Sequence, residues 1–158
     1  MNKYIIPESR SYETPENPEA IRFVLLFPEG LPKGTAQQKG ETSIRGKDGR
    51  FYVVHYKKTA VQKARRIFIS KLEEFKPSSP FMGAVELKVS FTFSIKKKSL
   101  WGKYKDTRPD TENYLKEFKD CLQACGYFYE DAQVSREIIE KKYGEVAKIE
   151  VELRALGG

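Results

Sequence analysis

Cysteine, histidine and long apolar runs are all scarce in this 158-residue chain. Cys121 and Cys125 are the only cysteines. Spaced i and i+4, they would need further ligands to hold a metal, and the single histidine, His55, lies far upstream. The pair reads as free core thiols in a reducing cytoplasm. One histidine also limits general-base chemistry, and His55 sits where a hairpin or a helix entry is expected, so no catalytic role is assigned to it. No apolar run approaches the roughly 20 residues that span a bilayer. The start, Met1 to Glu8, is too poor in apolar residues for a secretion signal. A soluble, cytoplasmic protein without a membrane partner is expected. Its length suits one domain with a core able to fold alone, and no internal repeat is visible.

Positive charge, by contrast, is abundant. The net charge is +7, and its placement says more than its size. Residues 33–66 hold 10 basic and 2 acidic side chains, and residues 95–108 hold 6 and 1. Residues 109–145 reverse the balance, with 5 basic and 9 acidic. Spread positive charge attracts a phosphate backbone, while a local acidic cluster recruits cations. A generally solvated basic surface is the simpler reading of the same numbers.

Residues 1–20, polar and punctuated by Pro7, Pro15 and Pro18, read as a flexible N-terminal arm or an extension on a neighbouring surface. The domain proper is expected over 21–158. Arg22 to Phe27 reads as a short strand ended by Pro28, Gly30 and Pro32. The glycine-rich basic stretch 33–50 is a loop or a loose hairpin, with Phe51 to Val54 as its second strand. It suits a DNA clamp or a plain surface loop. Val61, Ala64, Phe68, Leu72 and Phe75 recur at helical spacing, with Lys57, Lys58, Lys63, Arg65 and Arg66 on the other face. Val85 to Ile95 alternates strictly and predicts a strand buried on one face, central or next to central. Lys96, Lys97, Lys98, Trp101, Lys103, Tyr104, Lys105 and Arg108 follow. Lysines interleaved with aromatics suit phosphate contact plus base stacking; an exposed connection with Trp101 tucked on the core suits the same residues. Ser135 to Tyr143 and Val146 to Leu153 read as a hairpin around Gly144–Glu145. The fold class is therefore α+β, a mixed sheet packed with two helices in the order β-(hairpin)-α-β-α-β-β.

The chain is organised around Arg108 to Val134. Asp110 precedes an apolar stripe at Leu115, Phe118, Leu122 and Cys125, which marks a helix start and an amphipathic helix. Asn113, Lys116 and Asp120 share the opposite face. Asp110, Glu112, Asp120 and Asp131 supply four hard oxygen ligands, provided the aromatic turn at Tyr127 to Tyr129 folds Asp131 back. The alternative is a capped helix whose early carboxylates favour the helix dipole.

Asp110-x-Glu112-Asn113-x-x-Lys116-x-x-x-Asp120, then Gly126 and Glu130-Asp131-Ala132-Gln133-Val134, resembles the RusA-type Holliday-junction resolvases, common in phages and prophages. Glu112 and Glu130 stand where that family has aspartate. The resemblance implies a homodimer that resolves four-way DNA junctions by Mg²⁺-dependent hydrolysis, Mn²⁺ being possible, with paired symmetric nicks. It implies Asp110, Glu112, Lys116 and Asp131 as catalytic, Asp110, Glu112, Asp120 and Asp131 as metal ligands, and Asn113 as their support. Lys57, Lys58 and the 96–108 cations would hold DNA. A junction-binding protein with weak or no catalysis, or a broader flap and fork nuclease, fits the same residues.

Overall fold

The computed structural model describes residues 19–33, 39–57 and 59–157. Its elements are β1 (Ala20–Leu26), β2 (Lys39–Arg45), β3 (Phe51–Lys57), α1 (Thr59–Leu72), β4 (Val85–Ser94), α2 (Thr111–Ala124), β5 (Val134–Gly144) and β6 (Lys148–Ala155). Single 3-10 turns cover Lys98–Leu100 and Asp131–Gln133. The expected arm lies outside the described residues except for its last two positions, and so does Lys58.

Strands β1, β6, β4 and β5 form one sheet in that order, antiparallel except for the parallel β4–β5 pair. Strands β2 and β3 pair separately as an antiparallel hairpin. This is the mixed α+β architecture expected. One sheet face is covered by both helices. Phe68 of α1 meets Phe118 of α2 edge-on at 5.3 Å, and Phe91 of β4 meets Tyr114 of α2 at 4.9 Å. Such T-shaped pairs place the positive ring edge on the negative face of the neighbour. Phe68, Phe91 and Phe118 are fully buried, each stabilising the fold by roughly 1.5–3 kcal/mol relative to exposure.

The two helices are also joined by polar contacts. Glu117, 1% exposed, accepts from Arg65 of α1 at 3.3 Å. The Cys121 thiol donates to the carbonyl of Arg65, and the Cys125 thiol to that of Ile69. Burial pushes these thiols up, Cys121 to about 12 and Cys125 to about 11. Both are free, buried thiols, as their helical spacing suggests. Tyr127 closes the helix pair from below by donating to Leu72 O at 2.6 Å.

Two expectations need correction. The last two strands are not a hairpin: β4 lies between β5 and β6 and bonds to both. The link from Gly144 to Lys148 crosses the end of β4, so a Cβ on Gly144 would stand 2.5 Å from Thr92 Cγ2. Glycine is there because a backbone passes over a side chain, not because a two-residue turn needs it. β4 bonds to β6 on one edge and to β5 on the other, and its apolar face, Val85, Leu87, Val89 and Phe91, lies in the core. Nor is it buried on one face only, because side chains of the neighbouring strands lie over its second face, as Arg136 of β5 does on Glu86 at 2.9 Å. Glu86, Ser90 and Thr92 on the second face are 8%, 6% and 3% exposed.

Candidate active site on the second helix

The site is built from the chain that leaves β4 and enters α2. After Ser94 the backbone turns at Ile95, whose carbonyl accepts the Trp101 indole N–H at 2.7 Å. Trp101 is half-buried, with the Lys98 ammonium over its ring at 5.8 Å. Residues 102–105 then run along the outer edge of β5. Gly102 N–H donates to Tyr143 O, Tyr143 N–H to Lys103 O, and Lys105 N–H to Lys141 O, at 2.8 to 3.0 Å. Lys105 is held in the chain: its ammonium lies over the rings of Phe93 and Tyr143 and donates to Thr107 Oγ1 at 2.6 Å. The Tyr143 hydroxyl titrates below its ordinary value because it bonds to Thr107 and adjoins that ammonium. Lys96, Lys97, Lys98, Lys103 and Arg108 are exposed. The backbone of Lys57 ends β3.

Helix α2 begins at Thr111 with Asp110 as its N-cap. The Asp110 carbonyl accepts Tyr114 N–H at 3.0 Å, but its carboxylate makes no capping bond. That carboxylate accepts instead from Asn113 Nδ2 at 3.3 Å. Tyr114, Leu115, Phe118, Cys121 and Leu122 face the core. Steps of about 100° per residue therefore place Glu112, Asn113, Lys116 and Asp120 on the outer face. Asp110, Glu112 and Lys116 are exposed, and Asn113 and Asp120 are half-buried.

Asp131 arrives by another route. The aromatic turn does redirect the chain, with Phe81 N–H donating to Tyr127 O at 2.8 Å. It delivers Asp131 into the 3-10 turn that opens β5, past the C-terminal end of α2. Strand β5 then runs back along the helix, joined by Lys119–Glu137 at 2.6 Å and by Lys141 to Pro109 O at 2.8 Å. A helix of 14 residues is about 21 Å long, so Asp110 and Asp131 stand at its opposite ends. Among the described residues no three His, Cys, Asp or Glu side chains converge as a ready-made cation cage.

The donor set nonetheless fits a hard divalent ion in its chemistry. Mg²⁺ keeps several waters and is commonly held by one or two carboxylates plus substrate phosphate. Asp110, Glu112, Asp120 and Asp131 form no ion pair with any described residue, whereas Glu86, Glu117, Glu137 and Glu152 are all paired. Four carboxylates without an ion pair to a described residue, on one helix with its N-cap and the turn after it, are available to a ligand.

Three residues that the motif reading left without a role matter here. Gln133 accepts from Tyr129 N–H at 2.7 Å and Glu130 N–H at 3.1 Å, and donates to Phe81 O and Gly83 O. One amide thus staples the Asp131 turn to the loop before β4, a contact no spacing rule reveals. Lys141 and Thr107 do the equivalent for Asp110. Their only sequence signal was a lysine and a threonine among many polar neighbours.

Fold and site together define a class: a basic, single-domain α+β protein whose second helix shows free carboxylates beside free cations, which suits a phosphodiester-cutting enzyme. The comparison with known families is specific. The family model described as Endodeoxyribonuclease RusA matches residues 29–154, and the chain belongs to that family. It is also 33% identical over 135 residues to "Crossover junction endodeoxyribonuclease rusA" of Lactococcus phage r1t, covering 84% of this chain and 98% of that protein.

Proposed function

We propose that this protein is a structure-selective endodeoxyribonuclease that resolves four-way DNA junctions as a homodimer, with paired nicks that depend on Mg²⁺ or Mn²⁺. One observation carries the reading: in a chain of this family, the four motif carboxylates lie on α2 with its N-cap and the turn after it, and none forms an ion pair with a described residue. A divalent cation bound there would polarise the scissile phosphate and supply a hydroxide-like nucleophile. Asp110, Glu112 and Asp131 would hold it, with Asp120 as a further ligand or a support. Asn113 orients the Asp110 carboxylate through the bond already described. Lys116, on the turn after Glu112, stabilises charge that grows on the phosphate oxygens.

The homodimer bears on the ligand set as well as on the substrate. With Asp110 and Asp131 at opposite ends of α2, the full set draws on two protomers. A two-fold axis repeats one site as two, and two sites on a two-fold junction cut two opposed strands. Lys96, Lys97, Lys98, Lys103 and Arg108 reach phosphates from the loop that leads into the site, with Lys57 and Lys58 as further contacts. Trp101 and Lys105, already engaged inside the chain, support this loop more than they probe the DNA. The free, buried thiols suit a reducing cytoplasm.

Cleavage of a mobile four-way junction, a duplex and a flap, each with and without Mg²⁺, tests the reading. Metal-dependent cutting of the junction in two opposed strands is expected. Equal cutting of flap or duplex would make the protein a broader nuclease. Binding without cutting in Mg²⁺, or in Mn²⁺ put in its place, would make it a junction-binding protein.

A further inference from the structure

We infer that Lys141 of β5 is a positioning residue that holds Arg108 and Asp110 in register with each other. The inference rests on the proposed function for its meaning, but on geometry for its substance. The Lys141 ammonium donates to the carbonyls of both Thr107 and Pro109, the latter at 2.8 Å. Its backbone carbonyl accepts Lys105 N–H at 3.0 Å. One residue therefore fixes positions 105, 107 and 109, the whole approach to α2. Arg108 lies between the two clamped carbonyls, and Asp110 follows the second directly.

Asp110 needs such an outside hold. Its carboxylate does not cap its own helix, so helix formation alone does not set the direction of the side chain. Its one described side-chain contact is the Asn113 amide at 3.3 Å. What remains is the backbone: Tyr114 N–H on the Asp110 carbonyl from the helix side, and the Lys141 clamp from the loop side. An ammonium has three donors and no acceptor, so it suits two carbonyls at once. Thr107 is further braced by Lys105 at 2.6 Å and by the Tyr143 hydroxyl at 3.4 Å. The end of β5 thus serves as a jig for the segment that carries one phosphate contact and one metal ligand.

The test compares Lys141→Met, Lys141→Arg and the control Lys119→Met in the full-length protein. The control breaks the other α2–β5 link, Lys119–Glu137, away from the clamped segment. Three readouts are taken: amide hydrogen exchange over 105–110, binding of Mn²⁺ alone followed by electron paramagnetic resonance, and single-turnover junction cleavage against Mg²⁺ concentration. For Lys141→Met, faster exchange at 105–110, weaker Mn²⁺ binding and a cleavage loss of about 100-fold are expected, since about 1 Å of misplacement costs that much. Lys141→Arg, with donors in a fork, restores part of each, while Lys119→Met leaves all three near wild type. Unchanged exchange in Lys141→Met would overturn the clamp. Faster exchange with unchanged Mn²⁺ affinity and cleavage, or equal losses in Lys119→Met, would reduce Lys141 to a structural residue. If wild type does not cut junctions, the proposed function fails, while exchange and Mn²⁺ binding still decide the role of Lys141.

Discussion

The open face of the sheet and the outer face of α2 are both rich in charge, yet most of the acidic side chains on the sheet are paired and those at the motif positions of α2 are not. On the sheet, Glu152 is bracketed by Arg22 at 3.1 Å and Arg154 at 2.9 Å, and Glu86 meets Arg136 at 2.9 Å. Glu150 lies between Lys142 at 3.9 Å and Lys148 at 3.3 Å. On α2, Asp110, Glu112, Asp120 and Lys116 pair with no described side chain of opposite charge. Cross-strand neighbours sit close enough for long side chains to meet, so a sheet neutralises its own charge. On the outer face of α2, no described element brings an opposite charge to Asp110, Glu112, Lys116 or Asp120. Charges that find partners inside the chain serve the fold, and the unpaired ones at the motif positions stay open to a ligand.

If this contrast is right, damage to the two faces should differ greatly in kind. The largest effect is expected from Asp110→Asn or Asp131→Asn. Either should lower junction cleavage by about 10³-fold or more, equivalent to about 4 kcal/mol of barrier, while gel-shift binding persists. Mixing the two variants should restore nicking of a single strand, because one of the two composite sites in a mixed dimer is intact. A mixture as inactive as its parts would show that each site belongs to one chain.

Glu112 sharpens the comparison next, because it tests whether a free carboxylate is also a ligand. Glu112→Gln should be nearly inactive in single-turnover cleavage. Glu112→Asp should stay active or gain activity in Mg²⁺, since octahedral Mg²⁺ at about 2.0–2.1 Å per ligand tolerates misplacement poorly. Wild-type rates for Glu112→Gln would remove this residue from the site.

A moderate effect is expected from the exposed cations. Replacing Lys96, Lys97 and Lys98 with glutamine should weaken junction binding and flatten its salt dependence, by about 0.9 log units per lost phosphate contact. An unchanged slope would show that these lysines face away from DNA.

The smallest effect is expected on the sheet. Glu152→Gln should leave cleavage unchanged and alter stability by less than about 1 kcal/mol. Arg154 and then Arg22 hold the Glu152 carboxyl below its ordinary value. A carboxyl depressed in the folded state contributes stability above its unfolded value and loses it as pH falls. The variant should therefore lose less of its thermal midpoint than wild type as pH drops below about 4.3. Equal acid sensitivity would show that the pairing is idle.

Much of this was legible in the linear chain. The helix from Asp110, its apolar stripe and its polar face follow from a period of 3.6, which the backbone imposes whatever the surroundings. The strand at Val85 and the identity of the motif carboxylates were equally local matters. The order of strands was not, because the pattern of β5 and β6 says that each has an inner face but not which strand lies beside it. Only packing placed β4 between them, and only then did Gly144 acquire its reason. The same limit applies to the site. Spacing named Asp110 and Asp131 together, yet their separation along α2, the clamp of Lys141 and the staple of Gln133 are contacts between residues far apart in sequence. Helical periodicity acts over a few residues and can be read there; strand order, bracing and separation are decided by how the elements share one core.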